Sequence, residues 1–154
     1  MIPTIIDTKS AEETIAVGER LGAAARSGLV LALVGDLGAG KTTFTRGLVR
    51  GAGAPDAPVV SPTFVLGRLY EGRVPVRHYD LYRLPEPADL EALGYFDFVD
   101  AGVSVVEWAD RTRPDAFPDV LRVVFINRGP TARRLKLLAH GPGAEAALEI
   151  FKKK

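Results

Sequence analysis

The chain has 154 residues, 47% of them hydrophobic and 25% charged, which suits one domain with a proper core. The formal net charge is +1, so nothing draws the whole molecule toward nucleic acid or an anionic membrane. Cysteine is absent, which excludes disulfides, thiolate catalysis and cysteine-ligated metals. The first residues lack a basic stretch followed by a long apolar run, so no signal peptide is expected and a cytoplasmic setting is.

Taken in chain order, residues 11–25 read as a helix. Ser10 is a plausible cap with Glu13 three residues on, and Ile15, Leu21 and Ala25 share a face. No element is assigned before residue 11. Residues 29–34 (Leu-Val-Leu-Ala-Leu-Val) form a continuous apolar run between Gly28 and Gly35. That is how a strand covered on both faces reads, and it is far too short to cross a bilayer. A helix is expected from Lys41 to about Arg50, ended by Gly51. Residues 64–70 and 74–80 read as strands around a turn at Glu71-Gly72-Arg73. Residues 86–93 read as a short helix and 95–99 as a turn. Val103 to Val106 reads as a short strand. Residues 121–127 and 134–139 read as strands, and 144–151 as a last helix. The alternation predicts an α/β fold with a mixed sheet, the hairpins adding antiparallel strands to a parallel centre. One domain is expected over 1–154, with a frayed basic tail at 152–154.

The most informative segment is Gly35-Asp36-Leu37-Gly38-Ala39-Gly40-Lys41-Thr42-Thr43. It matches G-x-x-x-x-G-K-[ST] and stands between an apolar strand and a helix, which is the setting that motif requires. Glycines let backbone N–H groups close on phosphate oxygens, and the helix N-terminus adds partial positive charge. Lys41 can reach the outer phosphates as a mobile charge. The Thr42 hydroxyl can reach Mg²⁺, which takes one or two protein ligands and keeps several waters. The segment therefore predicts a triphosphate site that uses Gly35, Asp36, Gly38, Ala39, Gly40, Lys41, Thr42 and Thr43 on a three-layer, P-loop-NTPase-like fold.

Such a site also needs acids and a group that positions the attacking water. Glu107 ends the 103–106 strand, where a second metal-binding acid belongs. Asp80 closes another strand and could hold Mg²⁺ or orient the attacking water. Ser61-Pro62-Thr63 could sense the γ-phosphate, as switch segments do. No Asn-Lys-x-Asp signature, which reads guanine, occurs, and this favours ATP. Arg133 and Arg134 lie near a strand start and could either touch the nucleotide or stay solvated at the surface. A histidine on a strand, such as His78, is more often structural than catalytic. Arg68, Arg73, Arg77 and Arg83 give the 67–83 segment a local positive excess.

Four runs together point to a family. They are the phosphate loop through Thr43, Ser61-Pro62-Thr63-Phe64, His78-Tyr79-Asp80-Leu81-Tyr82-Arg83 and Val106-Glu107-Trp108. In that order and spacing the chain resembles the TsaE (YjeE) family over about residues 10–140. The phosphate loop alone is shared by many NTPases, whereas the combination is much more specific. The resemblance implies an ATPase, slow on its own, that acts with the TsaB and TsaD proteins. Nucleotide turnover there resets the complex that forms threonylcarbamoyladenosine at position 37 of tRNAs reading ANN codons, and this component does not itself transfer the group. It implies that Lys41 and Thr42 serve phosphate and Mg²⁺, that Glu107 is the second metal-binding acid, that Asp80 is the essential acid beside the γ-phosphate, and that Thr63 is the switch-like threonine. It also implies that Trp108 lies beside the site, that adenine is contacted around Thr8 to Ala11, and that an arginine late in the chain touches the nucleotide. Arg134 aligns with that arginine better than Arg133. The alternative is a small-molecule kinase using the same loop, though no long lid insertion is evident.

Overall fold

The computed structural model describes residues 2–36, 38–54, 67–82 and 84–152. Seven strands make one mixed sheet: β1 (Thr4–Thr8), β2 (Val30–Val34), β3 (Gly67–Tyr70), β4 (Val76–Asp80), β5 (Val103–Glu107), β6 (Val120–Asn127) and β7 (Arg133–His140), in the spatial order β1-β7-β6-β2-β5-β4-β3. The centre β6-β2-β5-β4 is parallel. The β7, β1 and β3 pairings are antiparallel. The helices are α1 (Ala11–Ala24), α2 (Lys41–Gly51), a single turn α3 (Tyr95–Phe98) and α4 (Pro142–Leu148). The expected α/β class with a parallel centre and antiparallel additions is what forms.

The two faces of the sheet are covered differently. A strand turns successive side chains to opposite faces. On β2, Leu31 and Leu33 enter one core with Leu21 of α1, Phe44 and Leu48 of α2 and Leu148 of α4, while Val30 and Ala32 enter another. Each fully buried aliphatic side chain contributes roughly 1.5–3 kcal/mol. The second face is covered by the segment from Leu81 to Phe117, which contains α3 and two 3-10 turns rather than long helices.

Helices α1 and α2 touch backbone to backbone. A Cβ on Gly18 would lie 2.2 Å from the Phe44 carbonyl oxygen, and one on Gly47 would lie 2.0 Å from that of Ile15. Only glycine permits this approach, and it holds the N-terminus of α2 firmly against the first helix. The cap of α1 is as expected: Ser10 Oγ accepts from the Glu13 N–H at 3.1 Å. Glu13 reaches back to the Lys9 N–H at 3.0 Å.

Several expectations change. Residues 86–93 form turns, not a helix. Asp89 Oδ1 takes the N–H groups of Glu91 and Ala92, and Ala88 is held by Arg111 and Thr112 from across the chain. Those bonds compete with helical ones. Residues 95–98 form the one-turn α3 where only a turn was expected. The strand β4 starts at Val76, after Pro75, which has no N–H to give a ladder. The last helix begins earlier, at Pro142, and ends in a 3-10 turn, Glu149–Phe151. The strand β1 was not anticipated; it exists through its pairing with β7. Residues 64–66 of the expected strand, and Lys153 and Lys154 of the tail, lie outside the described residues. Lys152 lies 3.6 Å from Glu149. No helix among the described residues is long and apolar enough to cross a membrane.

Candidate functional site

The strands β2, β5 and β4 are adjacent and parallel, so their C-terminal ends meet on one edge. From β2 the chain moves to β4 on one side. From β5 it crosses to β6 on the other. In open α/β sheets ligands bind in the crevice at such a reversal. A cleft of 560 Å³ opens there, within the usual range for small-molecule sites.

One wall is the phosphate loop. Gly38 (φ +78°) and Gly40 (φ +106°) adopt left-handed backbone, and Gly40 caps α2. Side chains rarely tolerate those angles. Gly38, Gly40, Lys41, Thr42 and Thr43 line the cleft. Gly35, Asp36 and Ala39 shape the loop from behind: Ala39 is buried, Asp36 is exposed, and the Ala39 N–H donates to the Asp36 carbonyl at 3.1 Å. Lys41 is buried. Its ammonium donates to the Gly35 carbonyl at 2.6 Å and sits 4.2 Å from the centre of the Trp108 ring. Burial lowers the lysine pKa, and the carboxylates of Glu107, Asp80, Asp110 and Asp36 act against that shift.

The opposite wall carries the acids. Strand parity decides which side chains reach it. His78 and Asp80 on β4 share a face, and Glu107 on β5 stands in register with Asp80. That face is the one α1 and α2 cover, since Val76 and Val105 enter their core. Asp80 and Glu107 are both buried yet both line the cleft. Asp80 Oδ1 accepts from the Tyr82 N–H at 2.9 Å. Glu107 Oε2 is hydrogen-bonded to Nε2 of the fully buried His78. Trp108, next after Glu107, is the only non-glycine residue with positive φ (59°) among the described residues. Such strain in a bulky residue collects at functional sites. Its ring packs on Tyr82 at 4.8 Å.

The third side is formed by Ala11 and Thr14 at the start of α1 and by Pro130 and Thr131 from the β6–β7 turn. Thr8 is buried behind Thr14, with their hydroxyls 2.8 Å apart. Of the two late arginines, Arg133 lines the cleft. It donates to the carbonyls of Ala39 (2.9 Å), Gly38 (3.2 Å), Gly129 (3.1 Å) and Ala132 (2.8 Å), tying the β6–β7 turn to the phosphate loop. Arg134, favoured from the sequence, does not line the cleft; it pairs with Asp7 on β1 at 2.8 Å. Neighbours on a strand face opposite ways, and Arg133 shares the face of the core residues Leu135 and Leu137. Thr63, with Ser61 and Pro62, lies outside the described residues, as do Leu37 and Arg83.

Sequence reasoning did not find Thr14, Pro130 and Thr131. The Gly129-Pro130 pair marks a turn, but nothing local tells which side of the sheet that turn closes.

The donor set suits a hard divalent cation. One hydroxyl, Thr42, and two carboxylates, Asp80 and Glu107, share a cleft with an ammonium and a helix N-terminus. No group of three or more His, Asp or Glu able to cage a metal exists among the described residues. These residues fit an ion shared between protein, water and phosphate oxygens.

A model of the family described as threonylcarbamoyl adenosine biosynthesis protein TsaE matches residues 8–135. The chain belongs to the TsaE family. Two relatives named tRNA threonylcarbamoyladenosine biosynthesis protein TsaE show how far the likeness extends. The one from Nostoc is 42% identical over 118 residues, covering 71% of this chain and 72% of the relative. The one from Bacillus subtilis is 37% identical over 143 residues, covering 92% and 89%. The crystal structure of Bacillus subtilis YdiB superposes with a TM-score of 0.76 at 31% identity, covering 99% of this chain and 97% of that one. The family, and the three-layer α/β fold, are therefore as the motifs implied.

Proposed function

We propose that this chain binds ATP with Mg²⁺ in the cleft, hydrolyses it, and acts as a nucleotide switch on a TsaB–TsaD complex that forms threonylcarbamoyladenosine at position 37 of tRNAs reading ANN codons. The observation that carries this reading is the convergence at three parallel strand ends of the α2 N-terminus, Lys41, Thr42 and two buried carboxylates, Asp80 and Glu107. The relatives' names support the tRNA modification itself.

The residues divide the chemistry as follows. The loop N–H groups and the α2 N-terminus hold the phosphates. The Lys41 ammonium leaves the Gly35 carbonyl for the β- and γ-phosphates and spreads the transition-state charge. Thr42, Glu107 and Asp80 would hold a magnesium ion, which would supply charge neutralisation on the phosphate oxygens. Asp80, oriented by the Tyr82 N–H, aligns a water against the γ-phosphorus and accepts its proton. The new P–O bond forms as the β–γ bridge breaks, giving ADP and phosphate. Ala11, Thr14, Pro130 and Thr131 border the space left for the base. Thr63 remains the proposed γ-phosphate sensor, and Arg133 takes over the arginine contact first assigned to Arg134.

The test is a reconstituted tRNA reaction that lacks only this component. Adding the chain should restore threonylcarbamoyladenosine and release ADP and phosphate faster with TsaB and TsaD present than without. ADP release with no restored nucleoside would sink the switch role. A phosphorylated small product formed without partners would favour a kinase instead.

A further inference from the structure

We infer that His78 is a positioning residue that acts through Glu107, presenting that carboxylate to the metal side of the cleft. The inference rests on the nucleotide–Mg²⁺ reading above and goes beyond it. His78 is fully buried on β4, two residues before Asp80 and on the same face. Its Nε2 is bonded to Glu107 Oε2, and its Nδ1 has no partner among the described residues. A carboxylate oxygen can only accept, so the bond runs from the ring Nε2 to Glu107 and ties the carboxylate to the imidazole.

Burying an imidazole costs free energy that an aliphatic side chain of similar volume would avoid. On β4 its same-face neighbours are Val76 and Asp80, and across the ladders it stands opposite Val105 of β5 and Arg68 of β3; its bonded partner is Glu107. What the imidazole adds is one hydrogen bond to Glu107. That bond engages one carboxylate oxygen and fixes the rotation of a group that is itself buried yet lines the cleft. A carboxylate beneath a metal is commonly oriented by such an outer partner, and loss of the partner weakens metal affinity about 10-fold to 100-fold.

The experiment compares His78→Leu with His78→Gln. Leucine removes the donor, whereas the glutamine amide nitrogen reaches roughly where Nε2 stands. The dissociation constant of a non-hydrolysable ATP analogue is measured by calorimetry with Mg²⁺ and with EDTA. His78→Leu should weaken Mg²⁺-dependent binding about 10-fold or more and leave binding in EDTA unchanged. His78→Gln should recover most of the loss, and adding His78→Leu to Glu107→Gln should cost nothing further. Equal losses with and without Mg²⁺, no loss at all, or no recovery by glutamine would each overturn the role. If His78→Leu fails to fold, His78→Asn replaces it, because its shorter amide reaches only the Nδ1 position. Glutamine must then still outperform asparagine with Mg²⁺ present. Wild-type protein that binds the analogue equally with and without Mg²⁺ would overturn both this role and the metal reading. A normal Mg²⁺ effect that survives in His78→Leu overturns only the role of His78.

Discussion

The two flanks of β2 handle charge in opposite ways. On the β5–β4 side, Lys41, His78, Asp80 and Glu107 are all buried, and charge there is held by near neighbours and close to an open cleft. On the far side, at the β7–β1 edge, Asp7 and Arg134 form a bidentate pair in the open, with contacts of 2.8 and 3.1 Å. Burial makes an electrostatic interaction strong and its loss expensive, whereas exposure lets water and salt stand in for the partner. Acidic and basic side chains thus form a buried cluster beside the cleft on one flank and an exposed edge pair on the other. Arg133 stands between the two regimes, half-buried and spread over four backbone carbonyls.

The sharpest contrast should come from Asp80. Asp80→Asn keeps an oxygen for the Tyr82 N–H but removes the proton acceptor. ATP hydrolysis should fall about 100-fold or more, with the thermal midpoint little changed. A wild-type rate would take Asp80 out of the chemistry and blur the division between the flanks.

An intermediate effect is expected at the boundary. Arg133→Ala frees the carbonyls of Gly38 and Ala39 and should weaken nucleotide affinity about 10-fold. Arg134→Ala should leave affinity unchanged. Titration of both variants with the same nucleotide decides between neighbouring arginines, and the reverse result would restore the assignment made from the sequence.

The smallest effect belongs to the exposed pair. The hydrogen bond from Arg134 holds the Asp7 carboxyl below its ordinary pKa, assisted by the charges of Arg134 and Arg128 and opposed by slight burial. A depressed folded pKa contributes stability that is present above the unfolded value, near 3.9, and lost as pH falls through the folded value. Wild type and Arg134→Ala should therefore differ slightly in urea midpoint at neutral pH and low salt, and converge in acid or in high salt. A gap that persists in acid would mean that Arg134 acts through packing.

Much of this organisation is legible in sequence because its causes are local. The apolar run of β2, the Ser10–Glu13 cap and the glycines of the phosphate loop involve residues a few positions apart. Glycine angles and helix caps do not depend on what the rest of the chain does. Asp80 and Glu107 could be placed at strand ends from an alternating run and a short apolar run respectively. What escaped was made at long range. The strand β1 has a mixed pattern and forms by pairing with β7, more than a hundred positions along the chain. The expected helix at 86–93 lost to bonds from Arg111 and Thr112, and the His78–Glu107 contact joins residues 29 positions apart.

By itself the sequence determined that a strand would feed a glycine loop and a helix carrying Lys41 and Thr42, and that two acids would each end a strand. Tertiary structure decided that β4 and β5 lie parallel in the register that sets Asp80 beside Glu107, on the face that α2 covers. It also decided that Arg133, 94 residues from Ala39, closes the loop while Arg134 turns away. The reason is physical. Backbone angles and caps are set within about one helical turn, whereas a one-residue change of register sends every side chain of a strand to the opposite face.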